Sequence, residues 1–292
     1  MALGPPTAQA SPPLADSTRA NALAAMHGEA FAYAKYLAYA SQAQQAGRSP
    51  AAQAFTDAAQ VELTDHFFKQ AELIGFGGDI AANLRDAITG ETDEATSMYP
   101  GYARQATADG DPAAAQLFNE IAADETIHLR DFTTALNIIT TQGPAAAVPT
   151  GAATSPEPVT AGPARSSGAT LDNERAALQG EAFAYAKYMR YADQARRAGN
   201  PTAAQLFTNT ANVELNEHFP AVAALAGLVQ SDTNANLADA ITGEQHEADV
   251  MYPDYARQAD EAGNQQAAEL FREIAGDERA HQQAFQQAMT AG

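Results

Sequence analysis

One block of about 120 residues is written twice in this chain, and that repetition constrains the fold more than any other feature. "GEAFAYAKYLAYASQAQQAG" (28–47) returns as "GEAFAYAKYMRYADQARRAG" (180–199), and "VELTDHF" (61–67) as "VELNEHF" (213–219). "DAITGETDEATSMYPGYARQA" (86–106) returns as "DAITGEQHEADVMYPDYARQA" (239–259), and "AAQLFNEIAADETIH" as "AAELFREIAGDERAH". The offset is 152 through the second stretch and 153 from the third, so one residue was gained between them. A period this long marks duplicated domains rather than solenoid units.

Each block reads as four helices. Alanine, glutamate, glutamine and leucine dominate, and no alternating run rich in Val, Ile and Thr suggests a sheet. Helix one covers about 17–46, and helix two opens at Ser49-Pro50, a cap followed by a proline at the first helical position. Helix three covers about 79–109, and helix four opens at Asp111-Pro112 and runs to about 140. Gly90 and Pro100 are poor helix-interior residues and predict an irregularity around "MYP". Long helices on short loops give antiparallel bundles. The expected fold is therefore all-α, with two tandem four-helix bundles packed as an internal pseudo-dimer. Short connections favour bundles in which each block keeps its own four helices.

Between and before the blocks the composition changes. Residues 1–16 and 141–170 are rich in Pro, Ala, Gly, Ser and Thr and read as a disordered tail and a linker, flanking domains at 17–140 and 171–292. The formal net charge of −20 argues against nucleic-acid and anionic-membrane partners. No cysteine is present, which excludes disulfides, thiolate zinc and iron–sulfur chemistry. With no leader-like stretch and no apolar run of membrane length, a cytoplasmic location is expected.

Acidic residues recur at the centre of every helix. Block one offers Glu29 on helix one, Glu62, Asp65 and His66 on helix two, Glu91 and Glu94 on helix three, and Glu125 with His128 on helix four. Residues three or four apart share a helix face, so these sets point inward together. A lone Glu-x-x-His means little, because exposed helices carry many of both. Here the six positions Glu29, Glu62, Glu91, Glu94, Glu125 and His128 return unchanged as Glu181, Glu214, Glu244, Glu247, Glu278 and His281, while neighbours such as Ser41 and Asp193 have diverged. Carboxylate and imidazole donors on four helices suit a pair of iron or manganese ions.

These motifs, taken in order, resemble the ferritin-like domain of the rubrerythrin family. The resemblance covers about 240 residues, and "GE-x-x-E-x-x-x-MYP" is its most specific part. It implies two di-iron centres, with Glu62 and Glu125 as bridging carboxylates, Glu29 and Glu94 as ligands of one iron, and Glu91 and His128 of the other. In block two the same roles fall to Glu214 and Glu278, Glu181 and Glu247, and Glu244 and His281. Tyr36, Tyr99, Tyr188 and Tyr252 match tyrosines near the family's metal site; aromatic packing would explain them as well.

Two departures stand out. The family's helix-two pattern is Glu-x-x-His, but Asp65 and Glu217 occupy that His position, with His66 and His218 one residue later. The expectation favours Asp65 and Glu217 as ligands; the alternative is that the two histidines reach in at i+4. The rubredoxin-like Cys₄ domain common in the family has no cysteine here to build it, so electrons are expected from a separate donor protein. The function implied is reduction of hydrogen peroxide in oxidative-stress defence. The alternatives are an oxygen-dependent ferroxidase or oxygenase and, outside enzymology, a helical scaffold or a metal-binding module without turnover. A homo-oligomer beyond the pseudo-dimer is compatible with all of these.

Overall fold

A computed structural model describes residues 13–291; the expected tail falls mostly outside them. The described residues form eight long helices and no strand. In the first half, α1 is Asp16–Gln45. Helix α2 runs as Ser49–Val61, a π-helical turn Glu62–Phe67, then Phe68–Leu73. Helix α3 runs as Ile80–Asp93, a π-helical turn Glu94–Met98, then Tyr99–Asp109, and α4 is Pro112–Gln142. The second half repeats this. Helix α5 is Gly168–Arg197, and α6 is Pro201–Val213, Glu214–His218 (π) and Phe219–Ala226. Helix α7 is Thr233–His246, Glu247–Met251 (π) and Tyr252–Glu261, and α8 is Gln265–Thr290.

Local sequence explains the ends. Asp79, Asp111 and Asn200 each accept from a backbone N–H in the first turn of the helix that follows, satisfying a donor with no partner inside the helix. Gly110 and Gly227 close their helices in the left-handed region (φ 78° and 63°), where a side chain would be strained. The irregularity expected at "MYP" is the π turn before Tyr99 and before Tyr252. Pro100 and Pro253 lack the N–H that would continue the regular ladder, and the chain widens by one residue instead.

Each bundle takes two helices from each half. Helices α1 and α2 pack with α7 and α8, while α5 and α6 pack with α3 and α4; α1 and α5 lie together between the two bundles. The expectation that each block keeps its own helices is therefore corrected. The α2–α3 loop does not turn back but crosses to the other half, where Gln194 of α5 holds it. The Gln194 amide donates to the Phe76 carbonyl (3.1 Å) and accepts from Asn83 (2.7 Å). Gln42 of α1 does the same for the α6–α7 loop, donating to Ser231 (2.9 Å) and accepting from Thr233 (3.0 Å) and Asn236 (3.2 Å). Loop length permitted either route; the buried hydrogen bonds from the opposite half favour crossing. Two mixed clusters of alanine and aromatic residues fill the bundles, with Tyr36, Phe55 and Phe285 in one and Phe132, Tyr188 and Phe207 in the other.

The Pro-, Ala- and Gly-rich linker is packed along α6. Asn200 donates to the carbonyls of Pro144 (2.8 Å) and Ala146 (2.9 Å), and Asn209 to that of Thr150 (2.8 Å). The backbone N–H groups of Glu157, Gly162 and Arg165 donate to Asn216, Val229 and Leu225 carbonyls. Val148 is buried. Side chains and carbonyls of α6 and of the residues flanking it supply the partners, which the linker's own composition could not reveal.

Because the bundles are mixed, residues 13–150 expressed alone should hold metal only as a homodimer. Light scattering with metal analysis tests this; a monomer that binds about two metals contradicts the mixed arrangement.

Candidate metal centres

The first centre gathers Glu29, Glu62 and His66 from the first half with Glu244, Glu278 and His281 from the second. The second centre gathers Glu181, Glu214 and His218 with Glu91, Glu125 and His128. The roles implied for residues of a single block are thus divided between two centres: Glu62 faces Glu278, and Glu214 faces Glu125. At the first centre, Glu62 lies 2.8 Å from His66 Nδ1 through Oε2 and 3.1 Å from His281 Nδ1 through Oε1. Glu278 spans the same two imidazoles at 3.2 and 3.0 Å. At the second, Glu125 spans His128 (2.8 Å) and His218 (3.3 Å), and Glu214 spans them at 3.3 and 2.9 Å. Two carboxylates, each in reach of both histidines, have the placement of bridging ligands. Glu29 and Glu244 stand outside them, 3.7 Å from His66 and 3.6 Å from His281; Glu181 and Glu91 lie 3.5 Å from His218 and His128.

The π turns decide which helix-two residue faces inward. In regular α4, Glu125 and His128 meet at i, i+3. In α2 and α6 the wider turn brings Glu62 to His66 and Glu214 to His218, at i, i+4. His66 and His218 are therefore buried at the centres. The favoured ligands Asp65 and Glu217 are turned outward: Asp65 pairs with Lys69 at 3.0 Å, and Glu217 accepts from Thr154 of the linker. Asp277 and Asp124 lie 3.4 and 3.5 Å from Nε2 of His66 and His218. A carboxylate behind an imidazole orients the ring. The i+4 spacing was the available signal for His66 and His218; nothing in the sequence marked Asp124 or Asp277.

The four tyrosines divide. Tyr36 donates to Glu244 Oε1 at 2.5 Å, and Tyr188 donates to Glu91. Tyr252 accepts from Gln70 at 3.1 Å, while the buried Tyr99 hydroxyl has no partner among the described residues. Tyr99 and Tyr252 pack on Phe118 and Phe271. Glu94 and Glu247 are half-buried beside the clusters. Lys187 and Lys35 lie close enough to lower their pKa values, against burial and neighbouring carboxylates that raise them.

Electrostatics fit this donor set to cations. Burial pushes Glu29, Glu91, Glu181 and Glu244 well above the usual carboxylate range, and neighbouring carboxylates add to it. Glu247 is pushed up to about 8 by burial, then by Glu278. Burial would raise Glu62 and Glu125 too, but the histidines beside them reverse it and hold both low. Burial would lower His281, yet the carboxylates of Glu244, Glu278 and Glu62 facing its ring raise it to about 12. Buried oxygens of Glu29, Glu91, Glu214, Glu244 and Glu278 lack hydrogen-bond partners. Unpaired buried carboxylate oxygens are costly, and converging ones are ready acceptors for metal ions.

The fold and donor set define a four-helix carboxylate bundle with two clusters, each suited to a pair of metal ions. The rubrerythrin family model matches residues 21–136 and 172–289, and the chain belongs to that family. It is 34% identical over 130 residues to nigerythrin and 34% over 128 residues to rubrerythrin of Nitratidesulfovibrio vulgaris, each match covering 40% of this chain. It is 32% identical over 127 residues, 39% of this chain, to rubrerythrin of Porphyromonas gingivalis. The matches span 64, 66 and 64% of those relatives, under two thirds of their length. No solved structure gives a significant match. Among the described residues no helix is long and apolar enough to cross a membrane.

Two outcomes test the centres. Glu62→Ala should lower binding from about four metals per chain to about two. Adding Glu278→Ala should leave it near two, because both residues serve one centre, while adding Glu125→Ala should abolish it. Metal analysis checks this, and the opposite pattern would restore block-wise centres. The second outcome concerns pH. The raised groups Glu247 (about 8) and His281 (about 12) favour the folded state while protonated. Their contribution is full below the unfolded values and is lost as pH rises through the folded ones. Metal-free protein should therefore lose thermal stability from pH 5 to 9, while metal affinity rises over the same range as ligand protons become easier to displace. Melting curves with and without metal read both trends.

Proposed function

We propose that the chain is a di-iron reductase of hydrogen peroxide, with two centres per polypeptide and a separate protein as electron donor. The observation that carries this reading is the second helix-three glutamate, Glu94 or Glu247, beside each cluster. Glu29, Glu62, His66, Glu244, Glu247, Glu278 and His281 would hold one iron pair, and their counterparts in the other bundle the second. When bound, two ferrous ions supply the two electrons that turn peroxide and two protons into water.

The chain's own groups serve the proton side. In the metal-free chain burial raises the Glu247 pKa to about 8, and a bound cation would displace that proton. The Tyr36 and Tyr188 hydroxyls, held protonated by burial and then by neighbouring carboxylates, fix the orientation of Glu244 and Glu91. The apolar residues above and below each cluster, Phe67 and Tyr252 among them, keep bulk water out. With no cysteine in the sequence, a thiolate-bound iron cannot serve as the donor within it.

Anaerobically reduced protein mixed with peroxide or with oxygen tests the proposal by stopped-flow absorbance. Oxidation by peroxide should be faster by about tenfold or more, and Tyr36→Phe with Tyr188→Phe should slow it severalfold. Faster oxidation by oxygen would favour the ferroxidase reading.

A further inference from the structure

The two halves differ in the aromatic residues packed around α1 and α5. Around α5, His27 lies flat on Phe183, with ring centroids 3.6 Å apart and an interplanar angle of 11°. Phe76 stands edge-on to Phe183 at 6.0 Å and stacks on Tyr191 at 5.9 Å. At the 152-residue offset the partners around α1 are Gln179, Phe31, Leu228 and Tyr39. Phe31 and Tyr39 keep their rings, but the rings of His27 and Phe76 have no counterparts. What remains is a cavity of about 410 Å³, lined by Phe31, Lys35, Tyr39, Leu178, Arg175 and Leu228 with Asp239 at its side.

The charge of this cavity has changed as well. Arg175 stands where the other half has Leu23. Lys35 Nζ lies 5.7 Å from the Phe31 ring centroid and 6.0 Å from that of Tyr39. Asp239 holds Lys35 at 3.1 Å and accepts from the Tyr39 hydroxyl at 3.0 Å, while the exposed Arg175 lies 3.6 Å from Asp172. The cavity is within the size range of small-molecule sites. Its walls are aromatic faces, and two cationic side chains, Lys35 and Arg175, line it.

We propose that this cavity binds a small planar aromatic carboxylate. The ring takes the space that His27 and Phe76 fill in the other half, against Phe31 and Tyr39. The carboxylate pairs with Arg175 and Lys35, where charge-assisted hydrogen bonds give orientation. Lys35 also lies 5.2 Å over the Tyr36 ring, whose hydroxyl donates to Glu244, so the bound molecule adjoins the first centre. The second centre has no such neighbour, because the rings of the chain itself stack there. This assignment stands whether or not the centres reduce peroxide.

Saturation-transfer NMR and calorimetry on the full chain, with 4-hydroxybenzoate and its neutral analogue 4-hydroxybenzyl alcohol as probes, test the site. One saturable 4-hydroxybenzoate site per chain is expected, with 4-hydroxybenzyl alcohol weaker by about tenfold. Leu228→Phe with Gln179→His installs the rings that the other half already accommodates, and should weaken binding about tenfold or more without changing the circular dichroism. Arg175→Leu, the residue of the other half, should weaken 4-hydroxybenzoate about tenfold and leave 4-hydroxybenzyl alcohol unchanged. No saturable binding, equal binding of both probes, or binding that survives Leu228→Phe with Gln179→His would overturn the proposal.

Discussion

Everything in this molecule is arranged around carboxylates that lie where carboxylates are least welcome. Glu29, Glu62, Glu244 and Glu278 are all almost completely buried at the middle of one bundle, and Glu91, Glu125, Glu181 and Glu214 at the middle of the other. Their mutual repulsion and lost hydration raise the pKa of some and are offset at others by His66, His281, His128 and His218. Such an interior is tolerable only with bound protons or bound cations. The helices must therefore deliver their acids to the same level, and the hydrophobic clusters sit above and below it.

The crossing of the two halves follows from the same need. Each centre requires one Glu-His pair from a helix two and one from a helix four, and the chain draws the two from different halves. The result is one interlocked unit rather than two domains on a string. Gln42 and Gln194 hold the crossings, and α1 and α5 pair along the middle, where Tyr33 and Tyr185 stack with their hydroxyls 3.1 Å apart. Duplication on one polypeptide also freed the copies to diverge. The linker covers α6, with Thr154 on Glu217, whereas Asp65 is paired with Lys69. The aromatic stack of one half faces an open cavity in the other.

Much of this was legible in the residues. Cap-and-proline starts marked helix beginnings, the repeated "MYP" marked the irregular turn, and unchanged acids between diverged neighbours marked the interior set. These are local signals, set by backbone sterics and by which positions share a helix face. The all-α class, the duplication, the family and an acid-rich pair of centres all follow from them.

The tertiary structure alone decided three things. The π turns moved the inward position on α2 and α6 from Asp65 and Glu217 to His66 and His218, because one extra residue per turn rotates every later side chain. The route of the α2–α3 and α6–α7 loops was decided by Gln194 and Gln42, residues far away in sequence whose hydrogen bonds exist only once the halves are packed. The linker gained its order from Asn200, Asn209 and the carbonyls of α6. In each case the deciding partner lies outside the segment it orders. Sequence pattern therefore specified most of the buried acids, and long-range contact specified which of them would meet.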